Sequence, residues 1–253
     1  MDTKSLKILS YNIRYGGRRR QDLLAQVLRT IRPDIAILQE ATDPDVVKAL
    51  AQSTGMPVWA SRKGHSMGLL SHVTGLSWNW HKTSRSSQYF LEVLLQSPCL
   101  RIYGVHLRPR YFAWSEYYRV REIRDLLNLV NLEQDKEKPH ILIGDFNAVA
   151  PRDEPRIERM PMWIRLLIHI AGGTIHTEAI DTLLQAGYMD AFRQLHTHQN
   201  GFTFPSFSPH IRFDYVFLPP RFPWKVQDCR AVASPPIVAR ASDHLPLLTV
   251  LST

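Results

Sequence analysis

Cysteine is nearly absent from this 253-residue chain: only Cys99 and Cys229 occur, and their separation fits no zinc or redox motif. A disulfide framework or thiolate metal site is therefore excluded as an organising feature. The apolar neighbours of both residues predict buried, reduced thiols suited to a cytoplasmic location. Long apolar runs are also missing. Met160 to Gly173 is interrupted by Arg165 and His169 and is too short to span a bilayer. Met1 to Ser5 leads straight into Leu6–Tyr11, without the basic region, apolar stretch and cleavage site of a secretory leader. No internal repeat, low-complexity tract or Pro/Ser-rich linker divides the chain, so a single catalytic unit over residues 1–253, acting as a monomer, is expected. Acidic residues are the minority: 23 Asp and Glu face 31 Lys and Arg, a formal net charge of +8. That excess admits polyanions, nucleic acid or anionic lipid, as partners without choosing between them.

What the chain does contain is apolar surface, 44% of residues against 21% charged, enough for a sizeable core. Short apolar runs predict strands at Leu6–Tyr11, Ile35–Gln39, Met67–Ser71, Ser77–Trp80, Phe90–Gln96, Leu100–His106, Ile141–Gly144, Asp214–Leu218 and Leu247–Leu251. Helical spacing appears at Leu23–Ile31, Val46–Leu50, Ser115–Asn131 and Ile180–Ala186, and Pro33-Asp34 closes the first of these. A hairpin-rich centre between helical stretches predicts an α/β fold, a four-layer α/β sandwich of two packed mixed β-sheets with helices outside.

Polar residues interrupt the apolar runs at recurring places. Asn12, Glu40 and His106 each follow a predicted strand, Asp145 and Asn147 follow Ile141–Gly144, Asp214 opens another strand, and Asp243-His244 precede the last. Singly, each could cap a strand or begin a turn; together they suggest one site at the strand ends. Carboxylates and carboxamides without paired cysteines favour Mg²⁺ or Mn²⁺, which prefer oxygen ligands. With two histidines added, the set suits metal-assisted phosphoester hydrolysis.

These residues also resemble a known family. Ser10-Tyr11-Asn12-Ile13-Arg14, Leu38-Gln39-Glu40, Gly104-Val105-His106-Leu107, Gly144-Asp145-Phe146-Asn147, Arg212-Phe213-Asp214-Tyr215 and Ser242-Asp243-His244-Leu245-Pro246 stand in the order seen in the endonuclease/exonuclease/phosphatase superfamily. Among its branches, Asn12-Ile13-Arg14 and His106 look most like pancreatic-type deoxyribonucleases and the small bacterial hydrolases of the superfamily. The resemblance implies that Glu40 binds the metal, with Asn12 and Asp243 as direct or water-mediated ligands. Asp145 and Asn147 would lie against the scissile phosphate and orient the attacking water. His244, held by Asp214, would take the water's proton or stabilise the phosphorane, and His106 would bind phosphate or protonate the leaving oxygen. Two departures stand out. Arg14 replaces the second acidic residue of the apurinic-site enzymes, and Ala41-Thr42 replace a groove-reading arginine of the pancreatic enzyme.

Arg14, Arg108, Arg110 and Arg212 adjoin these motifs and could bind phosphate oxygens; solvated or structural roles are the alternative. Ser242-Asp243-His244 contains the letters of a hydrolytic triad, but neighbours on an extended chain face opposite ways. Asp190 reads as a structural turn residue. Three substrate classes follow: nucleic acid, cut by an endonuclease; phospholipid head groups, as in the sphingomyelinase branch; and small phosphate esters. Met160–Ile170 could be an interfacial helix or a flank packed on its own core.

Overall fold

Alternation along the strands builds the layers, because successive side chains point to opposite faces. In β1 (Ser5–Asn12), Leu6 and Ile8 enter one buried cluster while Leu9 and Tyr11 enter another. In β2 (Ile35–Gln39), Ile35 and Ile37 join the first and Ala36 and Leu38 the second. The computed structural model describes residues 5–83, 89–109, 113–132, 139–170 and 172–252. Within them the other strands are β3 (Val58–Ser61), β4 (Gly68–Ser71), β5 (Ser77–Lys82), β6 (Tyr89–Gln96), β7 (Cys99–His106), β8 (His140–Asp145), β9 (Met189–Asp190), β10 (Asp214–Leu218), β11 (Lys225–Ala231) and β12 (Leu247–Ser252). The helices are α1 (Gln21–Ile31), α2 (Pro44–Thr54), α3 (Ala113–Leu132), α4 (Met162–Ile170), α5 (Glu178–Gln185), α6 (Ala191–Leu195) and α7 (Val238–Ala241).

Two six-stranded mixed sheets result, ordered β11-β12-β1-β2-β4-β3 and β5-β6-β7-β8-β10-β9. Only β1 with β2 and β7 with β8 run parallel among the described pairs. Ile8, Ile35 and Ile37 meet Leu91, Ile102, Ile141, Ile143 and Val216 in the apolar layer between the sheets. Helices α1, α2 and α7 cover the outer face of the first sheet, and α3 and α5 that of the second. The four-layer α/β sandwich expected from the sequence is the fold observed.

Local signals end the elements where loops must leave for the site. Asp43 caps α2 by accepting from Asp45 N, Pro44 occupies its first turn, and Gly55 closes it in the left-handed region. Some elements were not predicted. The edge strand β11 alternates only weakly between exposed and half-buried residues, so it carries little apolar signal. One thiol expectation is corrected: Cys229 is buried, but Cys99 is exposed at the start of β7.

Candidate active site

Register brings the polar residues together. In the parallel β7–β8 pair His106 lies opposite Asp145, and in the antiparallel β10–β8 pair Asp214 lies opposite the same residue. Asn12 ends β1 beside Gln39 of β2, and Glu40 is the next residue out. The parallel pairs of the two sheets pack against each other, so these four strand ends open on one edge of the sandwich. Gly144, just before Asp145, is required by close approach, since a Cβ there would collide with the Val105 carbonyl. Arg14, Glu40 and Asn147 all have positive φ, at 52°, 54° and 48°. Asparagine tolerates this region; arginine and glutamate are held in it at a cost.

Hydrogen bonds then fix the side chains. Asn12 Nδ2 donates to Glu40 Oε1 at 3.2 Å and to Asp145 Oδ2 at 3.0 Å, joining carboxylates from the two sheets. Glu40 Oε2 accepts from Tyr15 N at 2.6 Å. Asp145 Oδ1 accepts from Asn147 N at 2.9 Å, and Asn147 Nδ2 donates to the Leu107 carbonyl at 3.1 Å. His244 Nδ1 pairs with Asp214 Oδ2 at 2.9 Å, leaving Nε2 3.7 Å from Asp145 Oδ2. His106 approaches from the other side, its Nε2 3.8 Å from that oxygen and its Nδ1 bonded to Ser66 Oγ. The structure thus gathers Asn12, Glu40, His106, Asp145, Asn147, Asp214 and His244.

Asp243 stands at the rim, where Arg14 Nε lies 3.2 Å from its Oδ2. Arg14 is therefore engaged with a carboxylate at the mouth of the site. Arg108 packs its guanidinium over the Tyr118 ring, 4.6 Å from the centroid. Arg110 lies outside the described residues. Arg212 is corrected outright: fully buried, it bonds Asp153 through Nε at 2.9 Å and Asp190 through Nη2 at 2.6 Å, so it holds the fold and is closed to substrate. Asp190 also caps α6 by accepting from Phe192 and Arg193, a structural role. Ser242 Oγ donates to the Asn12 carbonyl at 2.6 Å, which occupies the hydroxyl of the triad-like tripeptide.

Sequence reasoning missed several supporting residues. Thr203 Oγ1 accepts from Phe213 N and Asp214 N, setting the entry of β10. Ser66 Oγ accepts from Glu40 N while it bonds His106, linking the two sheets. Arg20 bonds the carbonyls of Arg14 and Ala241, tying the first site loop to the last. Each lies in a loop or at a helix end, and no apolar period marks it.

Burial alone would drive protons off His244, but the charges of Asp214 and then Asp145 outweigh it and push its pKa up to about 10. Burial raises the Asp214 carboxyl, an effect the His244 charge opposes. Metal-ligand atoms of Asp145, Asp214 and His244 all lie within 4.8 Å of one another. With Glu40, Asn12 and Asp243 beside them, the donor set is dominated by oxygen, and it fits a hard divalent cation.

Hard oxygen donors around a histidine–carboxylate pair serve phosphoryl chemistry, and they set the class of the molecule: a metal-dependent phosphoester hydrolase. The chain belongs to the Endonuclease/Exonuclease/phosphatase family, whose profile matches residues 9–244. Its fold is shared by an AP endonuclease from Archaeoglobus fulgidus (TM-score 0.72, 19% identity, covering 96% of this chain and 98% of that one). D. rerio TDP2 complexed with single-strand DNA product is also similar (0.70, 18%, 99% and 100%), as is the 3'-5' exonuclease NExo from Neisseria meningitidis (0.67, 20%, 96% and 98%). No curated protein matches the chain in sequence.

Proposed function

We propose that this chain is a Mg²⁺- or Mn²⁺-dependent phosphodiesterase acting on nucleic acid as an endonuclease. The observation that carries the chemistry is the Asp214–His244 pair, whose free Nε2 faces Asp145 inside a ring of carboxylates. Glu40, with Asn12 and Asp243, would hold the cation, which when bound would neutralise phosphate charge and polarise the phosphoryl oxygen. Asp145 and Asn147 orient the attacking water against the phosphate. His244 takes its proton, and Asp214 holds the imidazole and stabilises the resulting charge. His106 donates toward the leaving oxygen, its orientation set by Ser66. Arg14, at the rim beside Asp243, would meet a backbone phosphate, and Arg108 and Arg110 complete the proposed set. The net charge of +8 and the DNA-bound structures that share this fold support the nucleic-acid reading.

Circular single-stranded DNA, linear DNA, RNA and an aryl phosphodiester, each with Mg²⁺ or Mn²⁺, test this together. Cleavage of the circle is expected. Cleavage of linear ends alone would replace endonuclease by exonuclease, and cleavage of the aryl ester alone would remove nucleic acid as substrate. A second reading, hydrolysis of phospholipid head groups, draws on the exposed apolar side of α4 beside the site. We also place the chain in the cytoplasm as a single catalytic unit and a monomer. Both thiols are free, which suits a reducing compartment, and no described helix is long and apolar enough to cross a membrane.

A further inference from the structure

Helix α4 has two apolar sides, and only one is buried in the core. Ile164 is buried and Ile168 half-buried against Val149, Met160, Ile211 and Phe213. On the opposite side Met162, Trp163, Leu166 and Ile170 form a stripe at helical spacing that is open to solvent, Met162 82% and Ile170 72% exposed. The helix has no acidic residue; exposed Arg165 lies beside the stripe and exposed Arg159 just before the helix. Glu154 and Glu158 lie further upstream.

The stripe continues toward the active site. Trp163 shares a cavity of about 420 Å³ with Phe207, Arg14, Arg159 and Asp243. Phe207 is 74% exposed, and across Arg14, which is paired with Asp243, stand exposed Tyr15 and Arg18, the latter paired with Asp43. Large aromatic and aliphatic side chains interleaved with arginines are costly to leave in water. That mixture matches the interface of a bilayer carrying anionic head groups, where aromatics sit at head-group level and guanidinium groups meet lipid phosphate.

We propose that α4 and the adjoining Phe207 rim dock this protein on an anionic membrane surface, with the catalytic edge turned toward the bilayer. The docking goes beyond the nucleic-acid reading and does not depend on which phosphodiester is cut. Cosedimentation of the whole chain, with Mg²⁺ present, on phosphatidylglycerol/phosphatidylcholine vesicles and on phosphatidylcholine alone provides the test. The protein should pellet with the anionic vesicles, less so at high salt. The exposed double variant Leu166→Glu/Ile170→Glu should lose binding by about tenfold or more, with an unchanged thermal midpoint and unchanged hydrolysis of a soluble aryl phosphodiester. A wild-type protein left in the supernatant would overturn the proposal, as would a variant that pellets equally well. So would a stripe covered by a second copy, seen as a wild-type dimer that the variant dissolves, or a variant that loses only single-stranded DNA binding.

Discussion

Arg212 and Asp214 flank Phe213 and enter two buried charge clusters of opposite character. Around Arg212, two carboxylates, Asp153 and Asp190, meet two guanidinium groups, because Arg193 also bonds Asp153. Charge there is balanced, and Tyr215 closes the network through its hydroxyl. Around Asp214, four carboxylates (Glu40, Asp145, Asp214 and Asp243) face two guanidinium groups, Arg14 and Arg20, and one imidazolium, His244. Negative charge is left over, and part of the cluster opens at the rim. A cluster that balances itself can serve as structure, whereas one with negative charge to spare beside an opening is arranged for a cation.

Substitutions separate the two. His244→Ala should lower turnover by about 10² to 10⁴-fold while calorimetric Mn²⁺ binding persists; an active variant would refute the catalytic assignment. Glu40→Ala is expected to weaken the Mn²⁺ isotherm, and an unchanged isotherm would remove Glu40 as a ligand. In the balanced cluster Arg212→Ala takes from Asp190 its guanidinium partner, leaves Asp153 to Arg193 and Tyr215, and should cost about 3–5 kcal/mol of stability, read by denaturant unfolding. A loss below about 1 kcal/mol would show that the network is not tied as drawn.

The unbalanced cluster should also respond to pH. In the unfolded chain His244 titrates near its ordinary 6.5, and in the folded metal-free protein near 10. Between these values the folded state holds a proton that the unfolded state has released. The stabilisation is therefore complete below about pH 6.5 and is lost as pH rises toward about 10. Thermal midpoints of chelator-treated protein should fall across that window, and the fall should vanish in His244→Gln. A cation held by Glu40 neighbours Asp145, so it should lower the His244 pKa and favour proton uptake by the loaded site. An imidazole NMR titration unmoved by Mg²⁺ would contradict this. The smallest effect on stability is expected from Asp145→Asn, where relief of the repulsion with Asp214 and loss of the attraction to His244 oppose each other: the metal-free thermal midpoint should change little while activity is lost. A large fall in the midpoint would mean that the attraction and the hydrogen bonds to Asn12 and Asn147 outweigh the repulsion.

The same comparison shows what the sequence could reveal. Asn12, Glu40, His106, Asp145, Asp214 and His244 stand where apolar runs stop, and a strand end is a place that periodicity marks. Arg212 occupies the same kind of place and looked equally suited to phosphate. Its partners Asp153 and Asp190 come from a loop and from the end of β9, 59 and 22 residues away, and no local pattern records such a pairing. Ser66, Thr203 and Arg20 were hidden for the same reason. The layers were legible because each strand sends alternate residues into different cores; β11 was not, since an edge strand has one apolar face and a weak one.

The hydroxyl of Ser242 on the carbonyl of Asn12 closes a contact across 230 residues of chain. Together with the pairing of β12 on β1, it makes the catalytic centre one of the most non-local parts of the topology. A chain emerging from the ribosome displays Asn12 and Glu40 about 200 residues before Asp243 and His244. Chains that have not yet acquired β12 would then be inert, and hydrolysis would begin only once that strand had been threaded between β1 and β11.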